Sequence, residues 1–282
     1  MMKHVPVLLD AVMQAAGDVR GARVLDATFG AGGYSRAFLN AGAFVTAFDR
    51  DPTVVGDAKQ IADKFGSHFR FIQKNFSSME ELNEKFDVIV FDLGISSMQI
   101  DEPSRGFSFR FDAPLDMRMS NDGPTVSDMF DVWTEQDLTK ILRDFGDVRP
   151  ARAIACAIKD KMPKTTFELK DLIHNPRDIA PVFQALRIAL NDEMGELQCA
   201  LSAVPNLLNV GGRCICVTFH SVEDRIVKNT FRDWTTVAGD LHMPVVEKPR
   251  FELIKPQTPT GAELEKNPRA RSAHMRGVIK LF

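Results

Sequence analysis

Residues 23–33 read Arg-Val-Leu-Asp-Ala-Thr-Phe-Gly-Ala-Gly-Gly, and this stretch decides the fold class of the chain. A short apolar strand ends in an acid, Asp26, and runs directly into a loop that holds three glycines. Glycine lets a backbone approach a ligand closely because it has no Cβ atom. A helical pattern follows and stops at Gly42, as helices often do at a glycine. A strand, a glycine loop and a helix in this order predict the first turn of a ligand-binding α/β domain.

Further strand-like stretches repeat this pattern toward the C-terminus. They are residues 44–49, 69–72, 86–92 and, after a long break, 213–219. Near-continuous apolar strands that alternate with helices are typical of a parallel sheet covered on both faces. With right-handed crossovers, these elements form a Rossmann-like, doubly wound and mostly parallel sheet. The fold class is therefore predicted as α/β.

The long break before the last predicted strand contains helical patterns and no convincing strand. Thr134 followed by Asp137 is typical of a helix N-cap, and one long helix is expected to run from Phe183 to Leu201. This part of the chain is best explained as an insertion into the α/β fold. The predicted domains are an α/β domain of residues 1–110 and 188–282 and an inserted helical domain of residues 111–187.

The net charge of −3 argues against a chain that binds nucleic acid through its overall charge, but two segments are locally basic. Residues 149–177 hold seven Lys and Arg against three Asp and Glu. Residues 266–282 hold five Lys and Arg and no acid. Each segment is either a solvated surface or a contact to RNA phosphates, and the sequence leaves both interpretations open.

Composition also limits the compartment and the chemistry. No apolar run reaches the roughly 18 residues that a membrane helix needs, and the N-terminal apolar run is too short for a signal peptide. The four cysteines form no Cys-x-x-Cys motif, and no His/Cys cluster suggests a metal site. We therefore expect a cytoplasmic protein that binds neither a membrane nor a metal, and we leave its oligomeric state open.

Acids at the strand ends distinguish between two cofactors. Asp49 ends the second strand, where a carboxylate can accept hydrogen bonds from a ribose. A dinucleotide loop usually follows the pattern Gly-x-Gly-x-x-Gly/Ala, and here Ser35 stands at the third position. Asp26 would repel a pyrophosphate, whereas it would attract the sulfonium and amino groups of S-adenosylmethionine. We therefore favour S-adenosylmethionine, with a nicotinamide cofactor as the alternative.

Motifs along almost the whole chain, from His4 to about Ala273, resemble those of one protein family. They are residues 26–35 (Asp-Ala-Thr-Phe-Gly-Ala-Gly-Gly-Tyr-Ser), 48–52 (Phe-Asp-Arg-Asp-Pro), 92–97 (Asp-Leu-Gly-Ile-Ser-Ser), 105–109 (Arg-Gly-Phe-Ser-Phe), 114–119 (Pro-Leu-Asp-Met-Arg-Met) and 219–225 (Phe-His-Ser-Val-Glu-Asp-Arg). On these motifs the chain resembles the RsmH (MraW) family of bacterial ribosomal RNA small-subunit methyltransferases. The resemblance implies a class I methyltransferase domain that uses S-adenosylmethionine to methylate N4 of a cytidine. The implied partner is 16S rRNA, with the target in its decoding region and within the small ribosomal subunit.

The resemblance also implies which residues hold the cofactor. They are Gly32, Gly33 and Tyr34 beside the methionine moiety, Asp49 on the ribose, Phe76 on the adenine, and Asp92 and Gln99, which complete the pocket. Two positions depart from the family pattern, because Tyr34 replaces a histidine of many relatives and Met98 replaces a proline. Loss of that proline loosens the turn before Gln99.

Asp92 and His220 are the candidate catalytic residues. Asp92 ends an apolar strand, so its carboxylate is expected at the crevice, where it can accept a hydrogen bond from an amine. His220 is a candidate general base. We favour Ser221 as a helix N-cap, because Asp224 follows three residues later.

Two residue types bear on the identity of the acceptor base. Methylation of cytosine C5 needs a cysteine nucleophile, but Cys214 and Cys216 lie inside a strand and are expected to be buried. No aromatic residue follows the fourth strand at the place where many exocyclic-amine methyltransferases stack the base. Phe107, Phe109 and Phe219 are candidates for that role, and each is also a candidate for the core.

Three alternatives to a cytidine-N4 methyltransferase stay open at the level of sequence. They are a methyltransferase of the same fold that acts on another RNA amine, a nicotinamide-dependent oxidoreductase, and an RNA-binding protein without catalysis. For a methyltransferase, the target base must be unpaired or flipped out to reach the pocket. The inserted helical domain is the part that we expect to contact the RNA backbone.

Overall fold

The computed structural model describes residues 6–236 and 249–282. The chain divides into two compact units. The sheet unit comprises Met1–Gly94 and Gly195–Phe282, and the helical unit comprises Ile95–Met194. In sequence, the helical unit is therefore an insertion into the sheet unit.

Among the described residues, a seven-stranded sheet forms the centre of the sheet unit. Its strands are β1 (Arg23–Asp26), β2 (Phe44–Phe48), β3 (Phe69–Ile72), β4 (Phe86–Asp92), β5 (Leu208–Thr218), β6 (Phe251–Gln257) and β7 (His274–Lys280). Their order across the sheet is β3-β2-β1-β4-β5-β7-β6. The first five strands are parallel, and β7 runs antiparallel to both of its neighbours. This sheet confirms the predicted Rossmann-like fold class.

The helices begin largely where local sequence signals predict. In chain order they are α1 (Leu9–Ala16), α2 (Gly33–Asn40), α3 (Val55–Phe65), α4 (Ser97–Asp101), α5 (Val126–Val132), α6 (Glu135–Gly146), α7 (Ala151–Lys161), α8 (Thr166–Asp171), α9 (Pro176–Asn191), α10 (Glu193–Leu207), α11 (Ser221–Thr235) and α12 (Gly261–Lys266). Thr134 caps α6 by accepting a hydrogen bond from Asp137 N at 3.1 Å, as predicted. The long helix expected from Phe183 to Leu201 was wrong, because Asp192 adopts a φ of 47° and separates α9 from α10. No helix within the described ranges is long and apolar enough to cross a membrane.

Alternate residues of the strands face opposite sides of the sheet. In β4, Val88 and Val90 belong to the buried cluster on one face, whereas Ile89 and Phe91 belong to the cluster on the other. All four side chains are at most 2% exposed. This period of two is the pattern of a strand covered on both faces. A ligand therefore meets this sheet at the ends of its strands, where the sequence places its acids.

The two C-terminal strands were not predicted. β7 pairs with β5 and buries Met275 and Val278. β6 is an edge strand with little burial, and Leu253 is 56% exposed. A strand that is buried weakly and on one face has few apolar residues, so its sequence shows too weak a hydrophobic pattern to predict it. Residues 274–280 of the basic segment 266–282 thus form a strand of the sheet.

The helical unit begins at Ile95 and ends at Met194, whereas the sequence predicted an insert of residues 111–187. Phe107 and Leu115 are buried in its core, and both lie in irregular backbone between α4 and α5. Residues in irregular backbone show no helical period, although they pack like core residues. The start of the helical unit therefore shows no helical pattern in the sequence.

Candidate functional site

The loop between β1 and α2 is held by backbone hydrogen bonds and by the conformation of one glycine. Phe29 N donates to Phe48 O at 2.8 Å, which ties the loop to β2. Gly32 is the N-cap of α2 and has a φ of 72°, in the left-handed region. A Cβ on Gly32 would lie 2.6 Å from Ile61 Cδ1. Glycine is therefore required at the N-cap of α2.

Gly32→Ala is expected to lower the free energy of unfolding by roughly 2 kcal/mol, because a left-handed φ costs an L-residue about 1–2 kcal/mol and the new methyl must displace Ile61. Urea unfolding measures this difference. Gly56→Ala in α3 is the matched control, because its Cβ would meet no atom within 4 Å. That control should gain about 0.5–1 kcal/mol from better helix propensity. Equal stability of Gly32→Ala and wild type would contradict the loop conformation.

Asp26, at the end of β1, is a fully buried carboxylate with no ion pair among the described residues. It accepts hydrogen bonds from Ser35 Oγ at 2.6 Å and from Thr28 N at 3.3 Å. Burial is the main reason that the pKa of Asp26 rises to about 6, and the charge of Asp49 acts in the same direction. When ionised, Asp26 gives this end of the sheet a negative potential that a bound cation would relieve.

Asp49 lies just beyond β2 and braces the glycine loop. Its Oδ2 accepts a hydrogen bond from Gly30 N at 2.7 Å, and its Oδ1 accepts one from Asp51 N at 2.9 Å. Burial raises the pKa of Asp49 as well. Each carboxylate oxygen has further acceptor capacity. Asp49 can therefore hold the loop and still accept hydrogen bonds from the hydroxyls of a ribose.

Asp92, the last residue of β4, has one oxygen that the fold leaves unused. Its backbone N–H donates to Thr28 Oγ1 at 2.6 Å, which fixes the strand end against the glycine loop. Its Oδ1 is buried and has no hydrogen-bond partner among the described residues. Burial first, and then the charges of Asp26 and Glu223, raise the pKa of Asp92 well above its ordinary value. An unsatisfied buried acceptor of this kind marks a place where a ligand completes the hydrogen bonding.

The register of the sheet brings these acids to one edge. Asp26 pairs with Ala47 of β2 and with Val90 of β4, so Asp49 and Asp92 both lie two residues beyond that level. Asp49 raises the pKa of Asp26, and Asp26 raises that of Asp92, so the charges act on one another. Three carboxylates at one edge suit a ligand with cationic groups and oppose a pyrophosphate. The residues present therefore fit S-adenosylmethionine.

Phe76, the predicted adenine contact, lies beyond the end of β3, at the same edge of the sheet as the acids. It begins a short 3-10 turn capped by Asn75, soon after the end of β3. Its ring is half-buried and meets Phe91 edge to face, with the centroids 5.8 Å apart. Packing against Phe91 orients the ring without covering it.

Two further predicted cofactor residues, Gly33 and Tyr34, lie at the start of α2 in the sheet unit. The side chain of Tyr34 is buried in the core, where its hydroxyl donates to Val7 O. Gly33 begins α2, and a Cβ there would collide with the Pro6 ring. Neither residue offers a side chain to a cofactor. What they offer is the backbone at the start of α2.

Gln99 belongs to the helical unit, where it helps to begin α4. Its Oε1 accepts a hydrogen bond from Ser96 N at 3.0 Å, and Ser96 Oγ accepts one from Gln99 N at 3.2 Å. This reciprocal pair is a capping box. It orients the Gln99 amide in the turn that Met98 was expected to loosen. A role of Gln99 toward the cofactor stays a prediction.

His220, and not Ser221, is the N-cap of α11, which corrects the sequence interpretation. His220 Nδ1 accepts a hydrogen bond from Glu223 N at 3.4 Å, and Glu223 Oε2 accepts one from Phe219 N at 2.9 Å. Sequence reasoning missed Glu223. The three-residue spacing from His220 to an acid was the available signal, and the Ser221 to Asp224 spacing hid it.

Asp224 is engaged by the last strand rather than by a cap. Arg276 of β7 donates to its two carboxylate oxygens at 2.7 and 2.8 Å. Although burial opposes it, this pairing lowers the pKa of Asp224. Lys280 donates to Pro205 O at 2.7 Å and to Leu208 O at 3.0 Å. Arg276 and Lys280 of segment 266–282 are thus bound within the fold, which weakens this segment as an RNA contact.

Most basic side chains of residues 149–177, by contrast, face solvent. The exposed ones are Arg149, Arg152, Lys161, Lys164 and Arg177. Lys159 instead donates to Phe130 O at 2.6 Å and Trp133 O at 2.8 Å, which closes the end of α5. Lys170 lies over the ring of Phe167, 5.0 Å from its centroid. The exposed five leave the helical unit with cations that can bind phosphates.

Comparison with known proteins gives a consistent result. A family model described as the MraW methylase family matches residues 1–281. The chain is 46% identical to a ribosomal RNA small subunit methyltransferase H of Chelativorans sp. (strain BNC1), over 97% of this chain and 86% of that protein. It is 44% identical to the protein of the same name from Bartonella bacilliformis, over 97% and 88% of the two chains. A solved rRNA methylase from Streptococcus thermophilus aligns over 100% of both chains with 12% identity and a TM-score of 0.46. The similarity to the two relatives thus extends through the sheet unit and the helical unit alike.

Proposed function

The chain belongs to the MraW methylase family, which uses S-adenosylmethionine, and on that premise we propose that it methylates N4 of a cytidine in the decoding region of 16S rRNA. Membership in this family excludes the nicotinamide-dependent oxidoreductase. The names of the two relatives support small-subunit rRNA as the substrate. One observation of the structure carries the choice of an amine as the methyl acceptor. It is the buried and unpartnered Oδ1 of Asp92.

Asp92 suits an exocyclic amine for a chemical reason. The N4 lone pair of cytosine is delocalised into the ring, so the enzyme must orient the amine and accept a hydrogen bond from its N–H. Asp92 Oδ1 offers that acceptor. S-adenosylmethionine, when bound, supplies an electrophilic methyl group that N4 takes up as the bond to sulfur breaks. The raised pKa of Asp92 prepares its carboxylate to receive the proton that N4 then loses.

The binding of the cofactor is divided among the residues at the strand ends. Asp49 binds the ribose hydroxyls with the acceptor capacity that the loop leaves free. Phe76 stacks on the adenine, and Phe91 holds its ring in place. The backbone of Gly32 and Gly33 approaches the methionine moiety, because neither position tolerates a side chain.

The two cysteines of β5 support an amine rather than cytosine C5 as the acceptor. Cys214 and Cys216 are both fully buried in β5. Burial raises the pKa of the Cys216 thiol well above its ordinary value. A C5 methyltransferase needs a thiolate that reaches the base, and a buried thiol of high pKa cannot provide one.

Among the three candidate aromatics, Phe219 has the best position to stack on the target base. It is half-buried directly after β5, in the same unit as Asp92. Phe107 and Phe109 pack into the core of the helical unit, where Phe109 meets Phe183 with the ring centroids 5.4 Å apart. The exposed cations of residues 149–177 contact the RNA backbone, as expected for the inserted unit.

Mass mapping of the nucleosides in 16S rRNA from a strain that lacks this gene tests the proposed function. We expect one cytidine of the decoding region to lose its N4-methyl group. The wild-type gene should restore that group, and Asp92→Ala should not. Intact N4 methylation in the deletion strain would exclude cytidine N4 as the target. Loss of a methyl group from a different amine would favour the alternative, a methyltransferase of the same fold with another RNA substrate.

A further inference from the structure

The N-cap of α11 determines which nitrogen of His220 carries the proton. Nδ1 accepts the hydrogen bond from Glu223 N–H at 3.4 Å, so Nδ1 holds a lone pair and no proton. A neutral imidazole that accepts at Nδ1 bears its proton on Nε2. In this cap His220 therefore presents a hydrogen-bond donor at Nε2. The general base that the sequence suggested would need a lone pair there.

The Nε2 donor of His220 is buried and makes no hydrogen bond within the described residues. The side chain is 9% exposed, and Nε2 has no hydrogen-bond partner in the part of the chain that the structure describes. Glu223 Oε1 lies 2.9 Å from Nε2, but the ring N–H does not point toward it. The other oxygen of Glu223 is occupied by Phe219 N–H at 2.9 Å. A buried donor without a partner is unfavourable, so it indicates a position that a ligand completes.

Asp92 supplies the complementary atom on the adjacent strand. Asp92 pairs with Val217 in the register of β4 and β5, and His220 follows Val217 by three residues. A Cβ on Gly94 would lie 3.7 Å from Glu223 Oε1, so the segment after Asp92 runs beside the cap that holds His220. An unpartnered acceptor and an unpartnered donor thus lie at one edge of the sheet, both within the sheet unit.

Building on the proposed function, we propose that His220 is a specificity-determining residue that donates from Nε2 to N3 of the target cytosine. Asp92 Oδ1 accepts from N4–H of the same base. The Watson–Crick edge of cytosine carries an amine donor next to a ring-nitrogen acceptor, and these match the acceptor and the donor of the protein. Uracil carries the reverse pattern, so donors would face donors and acceptors would face acceptors. In this arrangement Asp92 alone takes the proton that N4 loses.

A single-atom change in the RNA tests the contact without altering the protein. In 3-deazacytidine, N3 is replaced by C–H while the amine is kept. Small subunits are reconstituted with 16S rRNA ligated to carry either cytidine or 3-deazacytidine at the target, and kcat/KM is measured for both. For the wild type we expect a loss of roughly 10- to 100-fold with 3-deazacytidine, as for one buried hydrogen bond left unmade. For His220→Ala, we expect the two substrates to react at equal rates.

Two variants separate donation from base catalysis. His220→Gln keeps an N–H donor and cannot act as a base, so it should retain most of the activity and the preference for cytidine. Thermal unfolding and affinity for S-adenosylhomocysteine confirm that each variant is folded. Equal rates of the wild type on both substrates, or an equal loss in the wild type and in His220→Ala, would overturn the contact. His220→Gln as inactive as His220→Ala would also overturn it. No methylation of the cytidine substrate would instead refute the proposed function.

Discussion

Asp92→Asn is expected to lower kcat/KM for rRNA methylation by roughly 10²- to 10⁴-fold, the usual contribution of a positioned proton acceptor. Asparagine keeps the size of the side chain but cannot take up the proton that N4 loses. Its amide nitrogen can also face the amine of cytosine as a second donor, and such a pair is repulsive. Steady-state methylation of small subunits measures the effect.

Loss of folding would not explain this result. Burial and the charges of Asp26 and Glu223 raise the pKa of Asp92, so removal of its charge should leave the thermal midpoint unchanged or higher. Asp87→Asn is the matched control, because Asp87 lies at the opposite end of β4 and accepts hydrogen bonds from Arg23 N and Asn209 Nδ2, both at 2.8 Å. That variant should keep full activity. Undiminished methylation by Asp92→Asn would rule out the assigned role.

Asp26→Asn is expected to stabilise the unliganded protein at neutral pH and to weaken its affinity for S-adenosylmethionine. The asparagine side chain can keep both hydrogen bonds of the aspartate, because its oxygen can accept from Thr28 N and its amide can donate to Ser35 Oγ. The main loss is the buried charge, because the remaining backbone hydrogen bond from Ser35 is the weakest contribution to the pKa of Asp26. That charge opposes folding and favours a cationic ligand, so stability and binding should change in opposite directions.

The pH dependence of this difference has a definite sign. Between its ordinary pKa of 3.8 and the raised value of about 6, Asp26 holds a proton in the folded protein but not in the unfolded chain. The free energy of unfolding of the wild type therefore falls as the pH rises through this window. A shift of about two units corresponds to about 3 kcal/mol. Urea unfolding should show that the free energy of unfolding of Asp26→Asn, relative to that of the wild type, rises by this amount between pH 4 and 7.5. A difference in stability that does not grow with pH would contradict the raised pKa.

Two further measurements complete this test. Hydrogen bonds from Arg20 lower the pKa of Asp18 from its ordinary value of 3.8 to about 2, so Asp18 is charged in the folded protein throughout the window and in the unfolded chain over most of it. Asp18→Asn should therefore gain no stability on the wild type as the pH rises. Calorimetric affinity of the wild type for S-adenosylmethionine should fall as the pH is lowered through about 6. Asp26→Asn should bind roughly tenfold more weakly than the wild type at pH 7.5, as for the loss of one nearby charge. Equal affinities at that pH would show that the charge of Asp26 does not act on the cofactor.

Much of the fold followed from signals that lie within a few residues of one another. β3 and β4 have the bounds that their apolar runs predicted. The glycine loop marked the first turn, and Thr134 marked the start of α6. Apolar runs and helix caps depend on residues that are close in sequence, so they predict strands and helix starts without knowledge of distant contacts.

The acids of the candidate site followed from the same local signals. A charged residue at the end of a buried strand is expected at the strand-end crevice, because an unpaired carboxylate is costly in the apolar core. The protonation equilibria of those acids did not follow from local signals. The raised pKa values of Asp26 and Asp92 depend on burial and on neighbours from other strands. The commitment of Tyr34 to the core likewise depends on Val7, which lies 27 residues away in sequence.

The sequence by itself determined the order of strand, glycine loop and helix, and with it the α/β class and the edge of the sheet at which the acids of the candidate site lie. Two pairs of residues with the same three-residue spacing could cap α11, namely Ser221 with Asp224 and His220 with Glu223. Tertiary structure decided between them. Arg276, 52 residues from Asp224 in sequence, reaches that acid only because β7 returns antiparallel to β5. Because Asp224 binds Arg276, His220 and Glu223 form the N-cap of α11. In this cap Nδ1 of His220 accepts a hydrogen bond, which leaves the proton on Nε2. A hydrogen bond between distant segments thus assigns a role that no spacing along the chain can reveal.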